Sequence, residues 1–158
     1  MSLTVYKKKR KFIGKGKTTE PKVIAIKKSE KKISTSKLSR FVIQEHHASH
    51  LHWDLRLEME GVLKSWAVPK IPPATKGIKR LAMQVEDHPL EYAKFHGIIP
   101  EGNYGAGKVE IWDKGKYSLV EKNPKKIIFE IDGKKLKGKY ALIKTNYANK
   151  KSWLFFKI

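Results

Sequence analysis

Leu51-His52-Trp53-Asp54-Leu55-Arg56-Leu57-Glu58-Met59-Glu60 alternates strictly, with Leu51, Trp53, Leu55, Leu57 and Met59 at one parity and His52, Asp54, Arg56, Glu58 and Glu60 at the other. Strand side chains point to opposite faces with period two, so this is a β-strand with one apolar and one ionisable face. Gly61 permits a tight reversal into Val62-Leu63-Lys64-Ser65-Trp66-Ala67-Val68, which Pro69 ends because it has no N–H for a strand ladder. The two segments read as a hairpin.

Further strands are expected at Leu81 to Glu86, Lys108 to Trp112, Tyr117 to Glu121, Ile127 to Ile131, Tyr140 to Lys144 and Trp153 to Lys157, with a short helix around Leu90 to Lys94. With the hairpin these make eight. An open sheet of that size leaves edges that invite aggregation, so the expected fold is mainly β, a closed or strongly curved antiparallel barrel with little helix. A single domain is expected: a basic N-terminal arm, 1–40, partly ordered, leads into a barrel domain, 41–158.

The 158 residues carry 35 Lys and Arg against 15 Asp and Glu, a formal charge of +20, which favours a polyanionic partner. Much of the surplus lies in the arm, where Lys7, Lys8, Lys9, Arg10 and Lys11 are expected to meet nucleic-acid phosphates; the competing reading is a solvated tail. No apolar run approaches the roughly 20 residues that span a bilayer, and Met1 to Arg10 lacks a secretory apolar stretch, so no membrane partner is expected. With no cysteine, any bound metal must rely on His, carboxylate and water.

Four of the six histidines, His46, His47, His50 and His52, fall within seven positions and lead into Asp54 and Arg56. His52, Asp54 and Arg56 share a strand face, about 6.5 to 7 Å apart per two-residue step. His52 and Asp54 can therefore lean onto one ion, with Arg56 beyond it for phosphate. A turn through Ala48 and Ser49 can return His46 as a third ligand, leaving open positions for water and substrate. Two imidazoles and a carboxylate suit Mn2+ or another borderline divalent ion, Zn2+ included. His47 and His50 are spares. The alternative is a polar face of ordinary ion pairs such as Asp54 with Arg56.

Arg80, Gln84, Glu86 and His88 share parity, so on one strand they would form a second polar face, with Tyr92 following. Arginine with histidine supplies the positive charge and the proton carrier that phosphoryl transfer needs. Pro100 to Gly107 is glycine-rich, but it leads into a strand rather than a helix and reads as a tight turn, not a phosphate cradle. Trp66, Trp112 and Trp153 read as core.

The run Phe41 to His46, then His52-Trp53-Asp54-Leu55-Arg56-Leu57-Glu58 and Gly61 to Lys70, strongly resembles the 3′-phosphoesterase module of bacterial DNA ligase D. The likeness continues through Val85-Glu86-Asp87-His88-Pro89, Ile99 to Gly107 and Trp112-Asp113. It implies a β-barrel enzyme, manganese-dependent, with Co2+ as well as Zn2+ among other divalent ions, that heals DNA or RNA-tailed DNA 3′ ends in non-homologous end joining. A terminal ribonucleoside would be removed to leave a 3′-phosphate, which is then hydrolysed to a 3′-hydroxyl.

By the same likeness His46, His52 and Asp54 would hold the metal, Arg56 and Arg80 would bind phosphate, and His88 would contact the reacting phosphate. Tyr92 and Glu86 would complete the pocket. His47 and His50 stand where the family usually has Asp and Arg. The arm matches the family's Arg-Asp-Phe only as Arg10-Lys11-Phe12, which makes Arg10 a further phosphate-binding candidate, and Glu20 sits at a different spacing. Polymerase and ligase modules are not in this sequence, so a stand-alone, cytoplasmic, nucleoid-associated protein is expected to meet separate ligase and polymerase proteins. Two rivals remain: a non-catalytic nucleic-acid-binding barrel, and an enzyme with only one of the two activities.

If the arm neutralises phosphates, deleting residues 1–39 is expected to flatten the dependence of DNA affinity on salt, measured by fluorescence anisotropy. An unchanged slope makes the arm a passive tail.

Overall fold

The computed structural model describes residues 38–103, 105–146 and 151–158. Expectations placed on residues 1–37, among them Lys7, Lys8, Lys9, Arg10, Lys11 and Glu20, lie outside the described residues, as does Tyr104. The described strands are β1 (Ser39–His47), β2 (Leu51–Met59), β3 (Val62–Val68), β4 (Lys79–His88), β5 (Gly97–Ile99), β6 (Gly107–Asn123), β7 (Lys126–Asp132), β8 (Lys137–Lys144) and β9 (Ser152–Lys157). All neighbouring strands are antiparallel. The order β1-β2-β3-β4-β9-β8-β7-β6 closes through β1–β6 pairing into an eight-stranded barrel, and β5 adds to β6 outside the ring. Closure removes the exposed edges, as the sequence led one to expect.

The expected hairpin is present. Met59 pairs with Val62 across Glu60 and Gly61, both at positive φ (55° and 79°), the backbone of a two-residue turn whose twist matches its strands.

The strand count of eight is right for a reason the sequence did not reveal. Ser39–His47 is a full strand, although its run of apolar and polar residues does not alternate clearly, and two expected strands are one. Lys108 to Trp112 and Tyr117 to Glu121 both belong to β6, and Asp113-Lys114-Gly115-Lys116 between them is not a turn. A Cβ on Gly115 would lie 2.2 Å from the Asp132 carbonyl oxygen, so this glycine marks close backbone approach inside a strand. The short helix at Leu90–Lys94 is a 3-10 turn.

Inside the barrel Phe41, Ile43, Leu55, Leu57, Trp66, Phe129, Tyr140, Trp153 and Phe155 form the main core. Trp66 and Trp153 are buried as expected, and Trp112 packs against this core while partly exposed. A second, smaller cluster lies on the outer wall, where Tyr92 and Ala93 of the 3-10 turn cover Val42 of β1 and Leu63 of β3. That cover turns the polar face of β2 into a buried one, and Asp54 and Arg56 are buried with it. No helix among the described residues is long and apolar enough to cross a membrane.

The shared face expected for Arg80, Gln84, Glu86 and His88 is not formed. Arg80 pairs with Phe155, Gln84 with Trp66 and Ala82 with Trp153, so the even residues at this end of β4 belong to the barrel's inner parity. Between Ser65↔Val85 and Leu63↔His88, β4 carries one residue more than β3, and this bulge flips parity and turns His88 to the outer wall.

Asp113, buried on β6, accepts backbone N–H groups of Lys114 (2.9 Å), Lys134 (2.8 Å), Lys135 (3.1 Å) and Leu136 (2.9 Å), tying the β7–β8 turn to the barrel. Asp113→Ala, which strands those donors, is expected to cost about 2 to 4 kcal/mol in urea unfolding. Asp132→Ala, which removes one exposed pair with Lys137, is expected to cost under about 1 kcal/mol. Equal effects would remove the stapling role.

Candidate metal and phosphate site

Register builds the site. His46 of β1 sits directly opposite His52 of β2, and Gln44 opposite Asp54. The β1–β2 hairpin therefore returns His46 to the trio by strand pairing. One ligand atom from each of His46, His52 and Asp54 falls within 4.8 Å of the others. The Nδ1 of His46 is 3.5 Å from one Asp54 oxygen, and the Nε2 of His52 is 3.4 Å from the other. Bonds of about 2.1 Å meeting at a tetrahedral angle put ligand atoms about 3.4 Å apart, so each imidazole lies at ligand spacing from one Asp54 oxygen and the trio could close on a divalent ion.

The far nitrogens fix the tautomers. His46 Nε2 lies 2.7 Å from the Gly105 carbonyl oxygen, and His52 Nδ1 lies 3.0 Å from that of His50. Each carbonyl accepts a ring N–H, so the nitrogen on the Asp54 side is the one a bound metal would take, the arrangement typical of metal-bound histidine. The glycine-rich turn thus supplies a carbonyl to a ring. Gly105 is close enough that a Cβ there would meet His46 Cε1 at 3.4 Å.

Burial opposes ionisation of Asp54, but the Arg56 guanidinium and the contacts to His46 and His52 outweigh it and hold the carboxyl well below the usual carboxylate range. Burial likewise works against a charged His52, yet its contacts with Asp54 and the His50 carbonyl raise its pKa above that of an ordinary imidazole.

Arg56 is 3% exposed, and every arm of its guanidinium is engaged. Nε donates to Gln44 Oε1 (2.7 Å), Nη1 donates to Ser65 Oγ (2.8 Å) and meets His88 Nδ1 (3.2 Å), and Nη2 lies 3.4 Å from Asp54. The ring of Tyr92 lies beneath it, 4.9 Å from centroid to guanidinium carbon, and against the ring of His88 at 4.9 Å. Gln44, fully buried, donates from its amide to the carbonyls of Tyr92 (2.9 Å) and Phe95 (3.2 Å). Gln44 and Ser65 were missed in the sequence: an amide and a hydroxyl within apolar strands carry no signal until pairing sets them opposite Asp54 and Arg56.

The structure brings together His46, His52, Asp54, Arg56, His88 and Tyr92. Arg80 it does not: the Arg80 Nε donates to the Ile71 carbonyl (2.7 Å), on the inner parity of β4. Glu86 lies in the bulge; its carbonyl oxygen is 3.1 Å from His88 Nδ1, and its Oε2 is buried without a hydrogen-bond partner among the described residues. His47 pairs with Glu45 (3.3 Å) and, with Glu110, forms a separate group of ligand type. His50 is exposed.

A small closed barrel whose outer wall gathers two imidazoles, a carboxylate and an arginine is an all-β domain that could hold a divalent ion beside a fixed guanidinium. Residues 44–144 match the family described as the DNA Ligase D 3′-phosphoesterase domain. The chain is 46% identical over 159 residues to the multifunctional non-homologous end joining protein LigD of Pseudomonas aeruginosa, covering 97% of this chain and 18% of that protein. It is 47% identical over 163 residues to the namesake protein of Mycolicibacterium smegmatis, covering 96% and 20%, and 53% identical over 110 residues to that of Mycobacterium bovis, covering 67% and 14%. The chain belongs to the DNA ligase D 3′-phosphoesterase domain family, and it spans about a fifth of the first of these relatives, whose length is several times its own.

Gln44→Leu leaves the Arg56 Nε without its acceptor and is expected to cost about 2 to 3 kcal/mol in chemical denaturation. If the trio holds a divalent ion, its binding, followed by calorimetry with manganese as the probe, is expected to persist, because the trio is untouched; a loss confined to this variant would show that Gln44 supports the ligands and not the arginine.

Proposed function

We propose that the protein is a divalent-metal phosphoesterase of DNA 3′ ends, removing a terminal ribonucleoside to leave a 3′-phosphate and then hydrolysing that phosphate to a 3′-hydroxyl for end joining. The observation that carries this reading is the His46–His52–Asp54 trio with Arg56 packed behind it. A pure phosphate binder has no use for a buried carboxylate, which repels phosphate unless a cation intervenes. Manganese is the proposed ion, with Zn2+ or Co2+ as substitutes. RNA-tailed or 3′-phosphate DNA ends would be the substrates, separate ligase and polymerase proteins the partners, and the cytoplasmic nucleoid the location. Residues 1–40 would act as a basic arm to a catalytic domain of residues 41–158.

His46 Nδ1, His52 Nε2 and Asp54 would hold the ion, which when bound supplies positive charge that draws in a phosphoryl oxygen and polarises its bond to phosphorus. Arg56, held on every side, offers fixed charge with no reorganisation as negative charge grows on the phosphoryl oxygens. His88 carries the proton. A guanidinium can only donate, so its contact favours Nδ1 as acceptor and the proton on Nε2, whereas the Glu86 carbonyl favours the proton on Nδ1. With both nitrogens protonated and Nδ1–H held by the Glu86 carbonyl, the ring can give its Nε2 proton to the departing oxygen as the phosphorus–oxygen bond breaks, and take one back from the water that adds to phosphorus. Tyr92 orients this ring and the guanidinium. Arg80, on the likeness to the family, would reach phosphate by leaving Ile71, and Arg10 would approach from the arm.

Purified protein with manganese is expected to shorten a primer ending in one ribonucleotide and then to release inorganic phosphate. Chelation should abolish both steps and manganese restore them. Asp54→Ala should lower both rates at least ~100-fold, and His88→Ala should do so with metal affinity retained. Full activity of Asp54→Ala would remove the trio from the mechanism, and tight DNA binding with no turnover in any divalent ion would support the non-catalytic barrel. Phosphate release without ribonucleoside removal, or the reverse, would leave a single activity.

A further inference from the structure

Charge is divided along the chain in a way the site does not explain. Residues 38–113, which supply every site residue above apart from Arg10, hold nine Lys and Arg against ten Asp and Glu, a net of −1. Residues 114–158 hold thirteen lysines against Glu121, Glu130 and Asp132, a net of +10. The half of the barrel that would hold a DNA end therefore has no charge surplus with which to attract the rest of the DNA.

Four of those lysines lie on one wall, with Asp132 and Glu130 of β7 between them. Arg40 of β1 pairs with Lys116 of β6, Lys116 with Asp132 of β7, and Asp132 with Lys137 of β8, a transverse row on the outer parity. Lys114, opposite Val42 of the outer cluster, and Lys139, opposite Glu130, flank that row. Lys114, Lys116, Lys137 and Lys139 are all exposed, and the one ion pair Lys137 makes with Asp132 is itself solvent-exposed and weak. Strands about 4.8 Å apart set these ammonium groups over two or three neighbouring strands, a breadth that suits a helical phosphate backbone better than a single small anion. The wall begins at β6, which is hydrogen-bonded to β1 of the site, so one duplex can reach both.

We propose that the outer wall of β6, β7 and β8 is the anchor for double-stranded DNA behind the reacting end, with Lys114, Lys116, Lys137 and Lys139 on its phosphates. This rests on the reading that the protein acts on DNA ends. The anchor supplies sequence-independent affinity and the site supplies chemistry.

The test uses the full chain with all four lysines changed to Gln, a second variant with all four changed to Arg, and Lys76→Gln/Lys94→Gln as a control from the other half. Binding of a long duplex is followed by anisotropy across a salt series, and cleavage is followed on that duplex and on a minimal one that only fills the site. Each phosphate-neutralising lysine contributes about 0.9 to the slope of log affinity on log salt, so the Gln variant is expected to lose about 3 to 4 of that slope. KM should rise about tenfold or more on the long duplex alone, with kcat unchanged; the Arg variant and the control should behave like the parent. An unchanged slope, equal KM effects on both duplexes, or loss of the slope in the Arg variant overturns the anchor. Failure of the parent to cleave either duplex would remove the catalytic reading, while the slopes would still decide the anchor.

Discussion

A buried carboxylate governs this structure. Asp54 is 5% exposed in the middle of β2, and an ionised oxygen pair at that depth is tolerated only because His46, His52 and Arg56 converge on it. The carboxylate orders its neighbours in turn. It faces two rings whose far nitrogens are held by backbone carbonyls, and a guanidinium whose other arms are fixed by Gln44 and Ser65. An incoming cation meets ligands already in place.

What keeps this group dry is the 3-10 turn at Leu90–Lys94. Tyr92 covers Arg56, and the carbonyls of Tyr92 and Phe95 are tied to Gln44, so the lid over the polar face and the clamp on the arginine are the same set of contacts. Low local dielectric makes such contacts strong and makes an unpaired member costly. Packing and chemistry are coupled on this wall, whereas the barrel interior is an apolar core.

The part of the site legible in the sequence is the part that lies on one strand. His52, Asp54 and Arg56 follow from period two alone, and the density of histidines pointed to His46. Strand pairing was less legible. Gln44 and Ser65 look like incidental polar residues until register sets them against Asp54 and Arg56. The parity rule failed on β4, because one extra residue between Val85 and His88 reverses the faces and separates His88 from Arg80.

Sequence alone determined that the chain would close a small antiparallel barrel, that Gly61 would turn the β2–β3 hairpin, and that one strand would set His52, Asp54 and Arg56 on a single face. These are local properties, fixed by side-chain period and turn stereochemistry. Tertiary structure alone decided that Gly115 lies within a continuous strand, that a bulge turns His88 toward Arg56, and that the outer face of β2 is covered. Each of these depends on which backbone approaches from another part of the chain, and such contacts leave no periodic trace in the residues that make them.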